Sequence, residues 1–99
     1  GFLSQLTHCI AVCLMTCKDS EHLVEYTGDS FRDLTRIAKI NENMWSELFL
    51  LNKEELLSQI TLFENELSKF KKSLENEDVD TMKEMMIVST KRRSYFEKN

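Results

Sequence analysis

Proline is absent from this chain, and its 99 residues include only two glycines, Gly1 and Gly28. With so few breakers, few β-branched runs and abundant Leu, Glu, Lys and Met, the sequence predicts an all-α fold, nearly helical throughout. No glycine-rich phosphate loop is present, so these residues do not cradle a dinucleotide by themselves. Positive charge is also in deficit. Thirteen Lys and Arg against seventeen Asp and Glu leave a net charge of -4, with a pI near 5.2. That balance argues against nucleic acid or an anionic membrane as the main partner. The basic run Lys91-Arg92-Arg93 is short and suits the last turns of a helix, where cations meet the negative end of the dipole. A long apolar run is missing as well. Residues 1–17 carry no formal charge, but Ser4, Gln5, Thr7, His8 and Thr16 interrupt them. The segment is shorter than a ~20-residue membrane span, and it lacks the basic start and small-residue cleavage site of a signal peptide. No serine or cysteine stands with a base and an orienting acid at a recognisable spacing, so no catalytic residue is expected in these residues.

What is present suits a single helical domain over residues 1–99, with 41% hydrophobic and 30% charged residues. The chain opens at Gly1 without a methionine, inside what already reads as a helix, and is expected to be a piece of a larger protein. The first helix is predicted over residues 2–17. Leu3, Leu6, Ile10, Cys13, Leu14 and Cys17 form its stripe, widened almost all round by Phe2, Val12 and Met15. A helix so apolar needs cover on most sides, which points to a second protomer. A short helix over residues 20–26 is expected to end at Gly28, a plausible C-terminal cap.

Ser30 followed three residues later by Asp33 has the form of a capping box and is expected to start a helix reaching Ala38. Phe31, Leu34 and Ala38 share one face of it, and Arg32, Asp33 and Arg36 cluster on the adjoining one. Two arginines one turn apart with an acid between them make a concentrated cationic site, and the planar guanidinium fork suits a carboxylate. Asn41 is expected to cap a helix over residues 42–75, either continuous or bent near Asn52-Lys53. Its residues Leu56, Ile60, Phe63, Leu67, Phe70 and Leu74 are spaced 4, 3, 4, 3, 4, a heptad seam. Trp45, Phe49 and Asn52 extend that seam through one stutter. Unbroken, such a helix would be roughly 50 Å long, more than a domain of this size needs, and it signals a homodimer. Asp78 is expected to cap a last helix over residues 79–96 with Val79, Met82, Met86 and Phe96 inward. Cys9, Cys13 and Cys17 lie four apart on the first helix without a matching histidine pair. They read as buried thiols in a reducing compartment, not as a metal site. His8 shares a helix face with Ser4, Ala11 and Met15, and His22 reads as surface.

Three stretches together resemble the C-terminal helical domain of prephenate dehydrogenase. They are Leu6-Thr7-His8-Cys9-Ile10-Ala11, then Phe31-Arg32-Asp33-Leu34-Thr35-Arg36-Ile37-Ala38, then Met44-Trp45 with Asn52-Lys53. The resemblance runs from about Leu3 to Phe96, and its most specific part is the Phe31 to Ala38 stretch followed by Trp45. It implies an all-α dimerisation domain of the kind found at the C-terminus of 6-phosphogluconate-dehydrogenase-like enzymes, forming a homodimer and closing the active site. It also implies a cytoplasmic enzyme of tyrosine biosynthesis that oxidatively decarboxylates prephenate to 4-hydroxyphenylpyruvate. The NAD or NADP would sit in a preceding domain that these residues do not include. By the resemblance, Arg36 grips a substrate carboxylate, Asp33 lies close to that arginine, His8 lines the pocket and Trp45 reaches the pocket of the neighbouring protomer. The sequence departs from the family's pattern in two places. Thr7 stands where proline is frequent, and Asp29-Ser30 follow Gly28 where a triple-glycine turn is frequent. The competing reading is a stand-alone helical homodimeric interaction module that uses the heptad seam and has no small-molecule pocket.

Overall fold

A computed structural model describes residues 3–17 and 29–97. Among these residues there is no strand. The helices are α1 (Leu3–Thr16), α2 (Asp29–Thr35), α3 (Glu42–Leu51), α4 (Lys53–Glu75) and α5 (Val79–Ser94). Short 3₁₀ turns follow α2 at Arg36–Ala38 and α5 at Tyr95–Glu97. The all-α expectation therefore holds over the described residues, whereas the expected helix at 20–26, with His22 and Gly28, lies outside them. The chain divides into two compact units, Gly1–Ile60 and Thr61–Asn99.

In the N-terminal unit, α1 packs against α2 and against the 3₁₀ turn that follows it. Ala11 is its most deeply buried residue, at 1% exposure, because a methyl side chain lets another backbone come close. Leu6, Ile10 and Leu14 are half-buried around it. The expectation of three buried thiols is corrected here. Cys9 is half-buried, but Cys13 and Cys17 are exposed, and among the described residues the elements packed on α1 (α2 and its 3₁₀ turn) leave those two thiols uncovered.

The helix expected from Ser30 to Ala38 starts at Asp29 and is divided in two. Ser30 lies inside α2, not ahead of it. A capping box wants Glu or Gln three residues on, and Asp33 is one methylene shorter. At the other end the Thr35 hydroxyl donates to the Phe31 carbonyl at 2.7 Å. That back-bond ties up the last turn of α2, and the chain tightens into the 3₁₀ turn that carries Arg36.

The Asn41 side chain accepts from the backbone N–H groups of Asn43 and Met44, both at 3.0 Å, and so starts α3 as its sequence position predicts. Of the two forms open for residues 42–75, the broken one is realised, with a single-residue turn at Asn52. The Asn52 N–H is shared between the carbonyls of Leu48 at 3.2 Å and Phe49 at 3.3 Å, and its side-chain amide donates to Leu48 at 3.0 Å. The Asn52 carbonyl still accepts from Leu56 N–H at 2.9 Å, so α4 begins at once. Leu56 and Gln59, at 7% and 6% exposure, are the buried positions in this first part of α4.

Further along, the seam residues of α4 are largely uncovered within the chain. Leu67 and Leu74 are 57% and 60% exposed, and Phe70 is half-buried. Helix α4 ends in a Schellman arrangement: Asp78 N–H donates to Ser73 carbonyl at 2.7 Å and Glu77 N–H to Leu74 carbonyl at 3.2 Å. Glu77 occupies the left-handed position of that motif, with φ of 51°. Asp78 then caps α5, as expected: its carboxylate accepts from the Thr81 N–H at 3.1 Å and from the Thr81 hydroxyl at 2.6 Å. The expected inward set of α5 is corrected in part. Met82 is half-buried together with Thr81 and Met85, whereas Val79, Met86 and Phe96 are exposed. The apolar run Met85-Met86-Ile87-Val88 goes round the helix and gives it no single inward stripe.

Candidate functional site

The N-terminal unit brings together residues that lie far apart in sequence. His8 sits in the middle of α1, and Trp45 sits in the first turn of α3, just after the Asn41 cap. Their rings stack, with centroids 4.2 Å apart and planes inclined by 25°. Phe49, one helical turn beyond Trp45, also meets the indole, with centroids 5.6 Å apart and planes inclined by 50°. All three rings are half-buried, so the stack forms a wall with an open side. The partner of Trp45 is the histidine of its own chain.

Arg36 enters through the 3₁₀ turn, which packs on α1 by way of a segment whose Ile37 and Ala38 are half-buried. Packing the apolar half of the turn leaves the polar half outward, and the Arg36 side chain is exposed. Asp33 and Arg32, on α2, are exposed too. An exposed guanidinium fork of this kind can meet an incoming carboxylate. Cys9, next to His8 on α1, has its thiol pushed up from the ordinary value, first by burial and then by the neighbouring Cys13. It stays a neutral thiol at neutral pH and is a poor nucleophile there.

Among the described residues no group of three or more His, Cys, Asp or Glu could hold a metal ion. No helix among them is long and apolar enough to cross a membrane. A separate polar groove of about 490 Å³ lies in the C-terminal unit, lined among others by Lys69, Lys72, Ser73 and Asp78. Its hydroxyl and carboxylate already serve the fold. Ser73 donates to the Phe70 carbonyl at 2.7 Å, and Asp78 caps α5. None of the sequence-predicted site residues lies there. Sequence reading placed Phe49 in the apolar seam only; its i, i+4 spacing from Trp45 was the available signal of a second role.

Fold and site together define an all-α domain whose N-terminal helical unit carries an exposed arginine and a stack of aromatic rings. The model of the family "Prephenate dehydrogenase, dimerization domain" matches residues 1–88. The chain belongs to that family. It is similar to the prephenate dehydrogenase of Bacillus subtilis (strain 168), with 29% identity across 81% of this chain and 23% of the relative. It is likewise similar to the cyclohexadienyl dehydrogenase of Zymomonas mobilis subsp. mobilis, with 30% identity across 91% of this chain and 33% of the relative. The chain thus spans between about a quarter and a third of the length of these relatives. No solved structure matches it.

Proposed function

We propose that this chain is the dimerising, substrate-closing part of a cytoplasmic dehydrogenase that oxidatively decarboxylates prephenate to 4-hydroxyphenylpyruvate. The observation that carries the reading is the stack of Trp45 on His8, on the same helix α1 that seats the turn bearing Arg36. Prephenate is a dicarboxylate built on a cyclohexadiene ring. Arg36 would take one carboxylate through two parallel N–H donors, a pairing stronger and more directional than a lysine could give. Asp33, one turn before Arg36, would tune the local charge and the direction of the guanidinium. The His8–Trp45 wall would lie along the substrate ring and keep water from that side. The NAD or NADP that accepts the hydride would be held outside these 99 residues, and so would the group that handles the proton. Nothing in this part of the enzyme carries out the chemistry alone.

The test is Arg36→Ala in the dehydrogenase that contains this domain, assayed for KM and kcat with prephenate. Removing one side of a charge-assisted pair costs about 2–5 kcal/mol, so KM should rise tens-fold or more. An unchanged KM would remove Arg36 from the substrate site.

A further inference from the structure

Phe49 packs on the indole of Trp45, the same ring that stacks on His8. A helical side chain leans toward the N-terminus of its helix and covers the turn before it. The ring of Phe49 therefore covers the turn that bears Trp45, and the tilted contact at 5.6 Å leaves the indole less room to swing along α3. His8 comes from another helix and stacks on the same indole at 4.2 Å. Without Phe49 the indole would lose its ring contact within α3. Trp45 is half-buried and near the start of α3.

We propose that Phe49 is a positioning residue, the support that holds the indole of Trp45 against His8. This role rests on the reading of His8 and Trp45 as a wall of the substrate site, and it adds a residue that acts on substrate only through Trp45. It is separate from the seam along which Phe49 also falls.

Trp45 is the single tryptophan of the chain, so its emission reports this one contact. A protonated imidazole in van der Waals contact quenches indole emission by accepting an electron from the excited ring, so emission is read on the acid side of the ordinary histidine range. The emission yield and lifetime of the 99-residue chain are compared for the wild type, His8→Ala, Phe49→Leu and Phe49→Tyr, with helicity followed by circular dichroism. His8→Ala sets the unquenched level. Phe49→Leu, which keeps apolar bulk and helix propensity but removes the ring, should recover most of the gap between the wild type and His8→Ala. Phe49→Tyr should stay at the wild-type level. Accessibility of Trp45 to acrylamide should rise in Phe49→Leu and not in Phe49→Tyr. A Phe49→Leu chain that remains quenched overturns the proposal, as does a His8→Ala chain with no gain in emission. Loss of helicity in Phe49→Leu overturns it too, because Phe49 would then support the fold and not one ring. These readings need no substrate. The prephenate reading can therefore fail on the Arg36→Ala kinetics while the emission series stands, and the reverse holds equally.

Discussion

Gln59 carries the clearest energetic anomaly in the N-terminal unit. The residue is only 6% exposed, and both its amide nitrogen and its carbonyl oxygen are buried without a hydrogen-bond partner. An unsatisfied buried polar group costs about 1–3 kcal/mol, while replacing it with an apolar group of the same shape is neutral or stabilising. Gln59→Met keeps the length and approximate volume of the side chain and removes both orphan atoms. It should stabilise the protein by about 1–3 kcal/mol, toward the lower end if the longer thioether adjusts imperfectly. In urea, with m near 1–3 kcal/mol/M, the midpoint should rise by roughly 1 M with m unchanged. Protein concentration must be held fixed, because any self-association feeds into the midpoint. Leu56, one turn earlier and 7% exposed, supplies the opposite sign. Leu56→Ala should lose about 2–5 kcal/mol in the same assay. A midpoint that falls for Gln59→Met would refute the reasoning, since it would mean that the amide makes a net favourable bond in the folded protein.

Two more predictions concern the junction between α4 and α5. Glu77 holds a left-handed conformation at φ of 51°, which costs a non-glycine residue about 1–2 kcal/mol. Glu77→Gly should therefore raise the thermal midpoint by an amount equivalent to roughly 1 kcal/mol after the added freedom of the unfolded chain is subtracted, and a lowered midpoint would contradict this. Asp78 has its carboxyl held below the ordinary carboxylate range, first by the Thr81 hydroxyl and then by the Thr81 backbone N–H. A folded-state value lower than the unfolded one stabilises fully above the ordinary range, and that contribution fades as pH falls through it toward the lowered folded value. The helicity of the wild type should therefore show an acid-side loss that Asp78→Asn flattens, and identical acid profiles would count against the cap.

Local chemistry was readable from sequence wherever it depends on neighbours along the chain. Asn41 and Asp78 cap the helices they precede, and the break at Asn52 falls where the heptad spacing needs a stutter. Ring and arginine positions were legible too, because the motif around Arg36 and the Met44-Trp45 pair are local words. What those residues touch was not. The His8–Trp45 stack joins positions 37 apart in sequence, and no periodicity states whether the indole serves its own chain or another. Burial was the other weak point. Gln59 and Ser73 are buried polar residues, while the seam leucines Leu67 and Leu74 stay exposed in the single chain. A pattern marks which face is apolar, and only a partner element decides whether that face is covered. Cys13 and Cys17 were misplaced for the same reason.

The central proposal is that this domain pairs with a second copy of itself. In the C-terminal unit Leu67, Leu74, Ile87 and Phe96 are 57%, 60%, 68% and 76% exposed, apolar side chains that a partner copy would cover. Sedimentation equilibrium at micromolar concentration measures the claim directly. The account predicts a particle of twice the 11.7 kDa of one chain. A mass of one chain that persists as concentration rises would contradict it.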